Sequence, residues 1–314
     1  MSLSVCLLAA EVAPLSKTGG LADVAGALAK YLAAADHDIR LFTPLYASID
    51  RARFPIQPVD GLQDVPLQIG PHHYVFSVAT TRLPGSDALV YLIDCPVLFA
   101  RPAIYTTDPD EHLRFLAFTR ATLAACQRMQ WSPGILHCND WHTAFGPLFV
   151  KTLLAGEPLF TRTRSVLTIH NIGYQGVFPA SAIADLELGP KTYLLHQDDL
   201  RAGRINPLRH GILYADAITT VSPTHAREIC TDEYGMGLQD SLRMRREALT
   251  GILNGVDYEI WDPRNDKYLP EHYDPSRLSI KSALKRAFIQ RLGLSMPVTT
   301  PLAGLVSRLA AQKG

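Results

Sequence analysis

Lys17 and the glycine pair Gly19 and Gly20 lie where an apolar segment gives way to a helical pattern. The apolar run covers residues 4–10 and the alanine-rich pattern covers residues 21–35, so the order predicts strand, turn and helix. The first turn of a helix leaves N–H groups unpaired at the end with partial positive charge. Glycines let an anion approach those groups, and the lysine adds a full charge. This chemistry suits a phosphate-bearing ligand.

The same residues also have a plainer interpretation. A glycine pair after a strand is common in tight turns, and a nearby lysine is often a solvated surface charge. Two known phosphate loops are absent, since the chain has neither G-x-G-x-x-G nor G-x-x-x-x-G-K-[ST] and its Lys-Thr pair precedes the glycines. A nicotinamide site or a P-loop ATP site is therefore disfavoured.

Polar side chains follow further short apolar runs. Residues 137–142 read His-Cys-Asn-Asp-Trp-His, and residues 168–176 read Thr-Ile-His-Asn-Ile-Gly-Tyr-Gln-Gly. In an open parallel sheet, ligands bind beyond the carboxyl ends of the strands. We therefore expect one cleft to gather side chains from distant segments, namely Lys17, Asp140, His142, His170 and Ser222.

The elements that must position these side chains alternate between short apolar runs and helical patterns. This alternation predicts an α/β fold with a Rossmann-like parallel sheet and helices on both faces. Strands are predicted at residues 4–10, 39–43, 74–79, 89–93, 135–138, 165–169, 217–221 and 301–306. Helices are predicted at residues 21–35, 111–129, 204–214 and 276–292.

The amino-acid composition indicates which partners the protein binds and in which compartment it is found. The 314 residues carry 30 basic and 30 acidic side chains, so no basic excess favours nucleic acid. Scattered cysteines without a C-x-x-C pair indicate reduced thiols and no zinc site. Residues 1–13 lack the basic start of a signal peptide, and no apolar run approaches the roughly 20 residues that span a bilayer. We expect a soluble, cytoplasmic protein that binds neither nucleic acid nor membrane.

Taken together and in order, these segments resemble the signature elements of bacterial glycogen synthases and plant starch synthases. The matching segments are residues 17–24, 137–142, 168–176, 214–224, 254–257 and 306–314. The resemblance implies the GT-B fold, in which two Rossmann-like domains face a cleft. It predicts a first domain at 1–255, a connecting segment at 256–300, and the start of a truncated second domain at 301–314. We expect such an N-terminal fragment to be inactive alone.

The resemblance also implies a reaction. Glucose passes from ADP-glucose to the non-reducing 4-hydroxyl of an α-1,4-glucan such as glycogen, with retained configuration and with no metal or other cofactor. Negative charge develops on the departing diphosphate, so cations and aligned donors are the main catalytic resource. By resemblance, Lys17, Gly19 and Gly20 supply part of it, and Arg308 and Lys313 supply the rest.

His170 is the residue that we expect nearest to the reacting sugar, because its side chain can bond a hydroxyl and its carbonyl can face positive charge. Asp140 completes the predicted catalytic set by orienting hydroxyls. The alternatives are a buried histidine satisfied by the fold and an aspartate that caps the following helix. His137 is expected to be structural.

The remaining predicted sugar contacts come from side chains that stack on a pyranose or bond its hydroxyls. These are Tyr105, Trp141, His142, Asn171 and Gln175. Their alternatives are a surface-loop tyrosine, a core tryptophan, and amides that close turns.

Other features of the chain are interpreted as structural or leave choices open. The pairs 72–73 (His-His) and 198–199 (Asp-Asp) are expected on solvated faces. Arg209 occupies a helix where the family usually has a lysine, so a lysine-specific role there is in doubt. A non-catalytic glucan-binding module and a different GT-B transferase remain alternatives, and ADP-glucose rather than UDP-glucose is implied by the resemblance alone.

Overall fold

The computed structural model describes residues 2–258 and 261–307. The chain divides into two compact units, Met1–Asn254 and Gly255–Gly314. In the described part of the chain, no helix combines the length and the apolar character that a membrane span requires. The predicted connecting segment and the start of a second domain remain predictions.

The first unit contains all the strands that the described residues form. They are β1 (Ser4–Leu8), β2 (Asp38–Pro44), β3 (Gln57–Pro58), β4 (Val65–Ile69), β5 (His72–Arg82), β6 (Leu89–Asp94), β7 (Ile135–Asn139), β8 (Arg164–Ile169), β9 (Phe178–Pro179), β10 (Arg204–Ile205), β11 (Ala217–Thr220) and β12 (Leu249–Gly251).

Helices follow most of the parallel strands. They are α1 (Gly20–Ala34), α2 (Pro96–Phe99), α3 (Glu111–Arg128), α4 (Asp140–Thr143), α5 (Gly146–Lys151), α6 (Gln197–Arg201), α7 (Pro207–Tyr214), α8 (Pro223–Glu228), α9 (Gln239–Met244) and α10 (Ile280–Arg291). Short 3₁₀ segments occur at Pro158–Phe160, Ala180–Leu186, Gly189–Leu194 and Arg246–Ala248.

One large sheet organises the first unit, in the order β12-β11-β8-β7-β1-β2-β6-β5-β3 with β4 beside β5. Neighbours from β12 to β6 pair in parallel, and β3, β4 and β5 pair antiparallel at the far edge. The predicted α/β fold with a mostly parallel sheet flanked by helices is confirmed. The antiparallel edge comes from residues 57–82, where tight turns replace the crossover helices that parallel strands need.

The register of the parallel strands explains why segments that are distant in the sequence meet at one edge of the sheet. Leu8 lies beside Cys138, Asn139 beside Thr168, and Ile169 beside Thr220. The central strand β1 is buried from Val5 to Leu8, and its apolar run is typical of a strand in the middle of a parallel sheet. Residues that follow β1, β7, β8 and β11 therefore leave the sheet at the same carboxyl edge.

Several predicted bounds differ from the structure within the first unit, among them those of the first strand and of the helix at 204–214. The strand predicted over residues 4–10 ends at Leu8, although Ala9 and Ala10 stay buried. The helix predicted over 204–214 is instead β10 followed by α7, because Asn206 caps α7 by accepting a hydrogen bond from the Arg209 N–H. Pro207, which lacks an N–H, then fits the first helical turn.

The second unit contains α10 and a series of turns in its described residues, 255–258 and 261–307. The helix begins at Ile280, later than the predicted residue 276, because the Asp274 carboxylate accepts hydrogen bonds from Ser276 and forms a turn there. The strand predicted at 301–306 is wrong: these residues are exposed coil. A strand needs a hydrogen-bonded neighbour, and the described residues of this unit form none.

Gly26 of helix α1 packs closely against the loop that follows β1. A Cβ added at Gly26 would lie 2.5 Å from the Ala13 carbonyl oxygen, whereas one at Gly20 would meet nothing within 4 Å. We predict that Gly26→Ala lowers the free energy of unfolding by about 1–3 kcal/mol through overpacking. Gly20→Ala, the matched control, should change it by less than about 0.5 kcal/mol. Urea unfolding measures both, and equal effects would contradict this packing.

Candidate active site

Hydrogen bonds tie together the carboxyl ends of β1, β7 and β8. Asp140 Oδ1 accepts from the backbone N–H of His170 (2.7 Å) and of Asn171 (3.3 Å). His170 Nε2 lies 2.8 Å from Asn139 Oδ1, and Asn139 Nδ2 donates to the Leu8 carbonyl over 2.9 Å. The structure therefore brings Asp140 and His170 into one constellation, although 30 residues separate them.

Asp140 adopts a backbone conformation that few residues tolerate. Its φ is 52°, in the left-handed region that aspartate visits more readily than most residues. The side chain is buried, and burial raises its pKa to about 7 even though the two N–H donors lower it. Asn139 occupies the N-cap of α4, so the helix-capping alternative for Asp140 is wrong. Its carboxylate crosses to the neighbouring strand instead.

Glu11 is a site residue that the sequence analysis missed. Its side chain is 2% exposed and accepts hydrogen bonds from the Thr18 N–H, the Thr18 hydroxyl (2.8 Å) and the Gly19 N–H (3.3 Å). The Gly19 N–H, expected to face a phosphate, thus binds a carboxylate of the protein itself. The available signal was a charged residue at the end of an apolar run, where only a partnered carboxylate is tolerated.

Lys17 is the accessible cation of the same loop. Its Nζ contacts Asp23 Oδ1 at 2.7 Å, and both side chains are about half exposed. Exposed ion pairs contribute only about 0–1 kcal/mol. A diphosphate that approaches the start of α1 can therefore compete with Asp23 for the lysine.

An aromatic cluster supports the other side of the site. His142 lies against Tyr105 (ring centroids 4.8 Å apart), Trp141 (4.2 Å) and Phe115 (4.5 Å). Burial lowers the pKa of His142 to about 3, so the ring is neutral. Its Nδ1 is buried without a hydrogen-bond partner. The structure shows a packing role for His142, and its contact with sugar stays a prediction. The surface-loop alternative for Tyr105 is wrong, because the ring of Tyr105 packs against the hydrophobic core.

Trp141 and the loop 173–177 line an open groove. Gly176 has a φ of +68°, and a Cβ there would lie 2.0 Å from the Trp141 ring. Glycine therefore lets the loop lie directly against the indole. Trp141 is partly buried in this arrangement and keeps contact with the core.

The two predicted amide ligands are engaged within the protein. Asn171 Oδ1 accepts from the Gly173 N–H at 3.0 Å. Gln175 Nε2 donates to the Met236 carbonyl at 2.9 Å, and its Oε1 accepts from Asn206 Nδ2 at 2.7 Å. The structure thus shows the turn-closing alternative for Asn171, whereas Gln175 ties its loop to residues 206 and 236. The contact of either amide with sugar stays a prediction.

His170 and His137 are neutral in this environment. Burial lowers the pKa of each to about 4, with a further contribution from His137 to the shift of His170. His137 Nε2 lies 2.6 Å from the Thr168 hydroxyl, which agrees with the structural role expected for it. Ser222, after β11, caps α8 by accepting from the His225 N–H at 2.9 Å.

The aspartate pair at 198–199 is not a solvated face as predicted. Asp198 is exposed, but Asp199 is 1% exposed and lies 2.7 Å from Arg209 Nε and 3.0 Å from Arg204 Nε. Adjacent helical residues point to different sides, so one carboxylate of the pair faces inward. Arg209 thus forms a buried ion pair with Asp199.

The remaining predicted residues are the histidine pair at 72–73 and the two cations Arg308 and Lys313. His73 is exposed as expected, whereas His72 lies 3.5 Å from the buried Asp185. Arg308 and Lys313 lie outside the described residues. Within 2–258 and 261–307, no group of three or more His, Cys, Asp or Glu side chains is arranged to hold a metal ion.

The buried histidines predict an acid-sensitive fold. The pKa is lowered from 6.5 to about 4 for His137, His170 and His210, and to about 3 for His142. Between about pH 6.5 and 4 the unfolded chain binds protons that the native chain does not, so stability falls as pH falls. Asp140, with its raised pKa, contributes in the opposite direction and offsets about one histidine. Urea unfolding at several pH values should show this decrease.

A variant pair isolates one histidine. We predict that His142→Phe, which keeps an aromatic ring in the cluster, reduces the slope of stability against pH by up to about 1.4 kcal/mol per pH unit. His73→Gln, at an exposed position, is the matched control. A stability that does not vary between pH 7 and pH 5 would contradict the neutral state of these rings.

Comparison with known proteins identifies the family. A family model described as the starch synthase catalytic domain matches residues 4–244. The glycogen synthase of Geotalea daltonii is 40% identical over 317 residues, and that of Thermotoga maritima is 38% identical over 315. Each alignment covers 99% of this chain and 64% of the relative, so the chain spans less than two thirds of the length of these curated relatives.

A solved structure agrees with the sequence matches. The catalytic domain of starch synthase IV from Arabidopsis thaliana, bound to ADP and acarbose, superposes with a TM-score of 0.84 at 32% identity. The match covers 94% of this chain and 60% of that chain. It confirms an α/β domain of the GT-B type. The chain belongs to the family of starch and glycogen synthase catalytic domains.

Proposed function

We propose that this chain carries the first domain of a glycogen synthase, a hexosyltransferase. The enzyme would transfer glucose from ADP-glucose to the non-reducing 4-hydroxyl of an α-1,4-glucan, with retention, in glycogen biosynthesis. The observation that carries the proposal is the convergence of the segments after β1, β7 and β8 at one edge of the sheet, in a chain whose relatives are glycogen synthases. The ADP and acarbose bound to the Arabidopsis relative support a nucleotide and a glucan as ligands.

In this proposal, Lys17 carries the contact of the first domain with the diphosphate. The Gly19 N–H is already bound by Glu11, so the glycine loop acts mainly by presenting the lysine and the start of α1. Gly20 leaves open space there, which gives the phosphate oxygens room to approach. Positive charge held in place before the reaction stabilises the departing diphosphate. Arg308 and Lys313 are proposed to supply the remaining cations.

The sugar would lie between the diphosphate and His170. The His170 carbonyl is proposed to face the positive charge that develops on the glucose ring, while Tyr105 and Asp140 shape the surrounding wall. The groove beside Trp141 would receive the glucan, because an aromatic face packs well on a pyranose. We propose no metal and no further cofactor for this transfer.

The chemistry of the cysteines supports a cytoplasmic reaction. All five are free thiols, and Cys6, Cys95, Cys126 and Cys138 are buried. Free thiols persist where the compartment is reducing. This observation supports the proposed location alongside the substrate chemistry.

Calorimetry on this chain tests the proposal. We predict that Lys17→Ala weakens the binding of ADP-glucose about tenfold or more, since a charge-assisted contact with phosphate is worth about 1.5–3 kcal/mol. Lys30→Ala, which removes a charge from α1 about 15 Å along the helix axis from its first residue, Gly20, is the matched control. Binding of maltoheptaose should be unaffected by either substitution.

The outcomes separate the alternatives. If the chain binds maltoheptaose but neither ADP-glucose nor UDP-glucose, a non-catalytic glucan-binding module is the better description. If UDP-glucose binds more tightly than ADP-glucose, the donor assignment is wrong and a different GT-B transferase is favoured. Equal ADP-glucose affinity for Lys17→Ala and the unmodified chain would remove Lys17 from the site.

A further inference from the structure

The side chain of Asn139 links β1 to His170. Its Nδ2 lies 2.9 Å from the Leu8 carbonyl oxygen, and its Oδ1 lies 2.8 Å from His170 Nε2. Asn139 is 3% exposed, and its backbone N–H donates to the Thr143 hydroxyl at 2.7 Å. The amide is therefore fixed at both ends within the structure.

This geometry determines which ring nitrogen of His170 carries the proton. A carbonyl oxygen only accepts, so the Leu8 oxygen must face the NH₂ group of Asn139. The amide oxygen then faces His170, and because that oxygen also only accepts, Nε2 must donate. The ring is neutral, since burial lowers the pKa of His170 to about 4. Nδ1 consequently has a lone pair and no proton.

Nδ1 is also the nitrogen that remains available. Among residues 2–258 and 261–307, no group forms a hydrogen bond with it, and it is not one of the fully buried polar atoms that lack a partner. An accessible lone pair at a strand end is a ready acceptor for a hydroxyl donor.

We propose that Asn139 is a positioning residue that holds His170 as the Nε2–H tautomer, so that Nδ1 accepts a hydrogen bond from a hydroxyl of the sugar. The second half of this statement rests on the proposed function, whereas the tautomer does not. A lone pair favours an oxygen that carries a proton and disfavours an anionic oxygen. The site would therefore select against sugars with a carboxylate or a phosphate at the contacted position.

Other titratable groups near His170 do not provide an alternative partner for Nε2. The Asp140 carboxylate binds the backbone N–H of His170 and of Asn171. The His137 ring is occupied by the Thr168 hydroxyl, which in turn lies 2.7 Å from the Thr219 hydroxyl. The Asn139 contact and the Thr168 contact are thus separate hydrogen bonds, each to a different histidine.

Long-range ¹H–¹⁵N spectra of the chain labelled with ¹⁵N-histidine test the tautomer directly. The signals of His170 are assigned by their loss in His170→Gln, and spectra are recorded at mildly alkaline pH so that Asp140 is ionised. We expect a protonated, pyrrole-type Nε2 and an unprotonated, pyridine-type Nδ1. The opposite pattern, or an average of the two tautomers, would overturn the proposal.

Two variants test whether Asn139 is the cause. In Asn139→Leu the ring should become a mixture of tautomers, while Thr168→Val should alter the signals of His137 and leave the His170 tautomer unchanged. A folded Asn139→Leu protein that keeps a pure Nε2–H ring would refute the assignment.

Asn139→Asp supplies a second readout if the leucine variant does not fold. A carboxylate in contact with Nε2 should raise the pKa of His170 by about one unit or more, measured in the same spectra. An unchanged pKa would show that residue 139 does not act on this ring. The two halves of the proposal can fail separately. If His170 is the Nε2–H tautomer but the chain does not bind sugar, the proposed function is contradicted and the tautomer assignment still holds.

Discussion

Two buried carboxylates, Glu11 and Asp140, hold the loops on which the rest of the site depends. Each accepts hydrogen bonds from two backbone N–H groups of a loop that follows a strand. An unpaired carboxylate in such a position would be costly, and hydrogen bonds from the backbone offset much of that cost. The loops are therefore shaped by groups of the protein itself, before any ligand is bound.

At the carboxyl edge of the sheet, some polar groups are bonded within the protein and others are accessible to a ligand. Carboxylates and amides are used internally, and the histidines are neutral because they are buried. The accessible features are the Lys17 ammonium group and the groove beside Trp141, with one ring nitrogen of His170. In the proposed function, a cationic contact and a hydroxyl acceptor on neighbouring loops bind a ligand that joins a diphosphate to a sugar.

Much of the fold could be predicted from the sequence because the pattern is local. Apolar runs predict the parallel strands, and the rule that ligands bind at the carboxyl ends of strands predicts that Asp140 lies near His170. The family resemblance was correct for the same motifs. The antiparallel edge of the sheet and the turns of the second unit were harder to predict from the sequence. Both depend on which segments pair as strands, and that pairing is not a local property.

The missed features depend on tertiary partners. Glu11 reads as an isolated acid, and only the folded loop shows that it meets Thr18 and Gly19. Asp199 reads as a surface residue until Arg209, ten residues later, is placed beside it. The sequence does not show that Phe115 and Tyr105 pack against the ring of His142, whose contact with sugar stays a prediction.

The most direct test of the central claim is amide hydrogen exchange at His170 and Asn171 in variants of Asp140. In Asp140→Ala, the account predicts exchange about tenfold or more faster at both amides, since a lost charge-assisted hydrogen bond is worth about 1.5–3 kcal/mol. Asp140→Asn keeps an acceptor oxygen and should largely restore protection, while the buried amide of Leu167 serves as the internal reference. Identical exchange at His170 and Asn171 in all three proteins would contradict the claim that this carboxylate holds the loop.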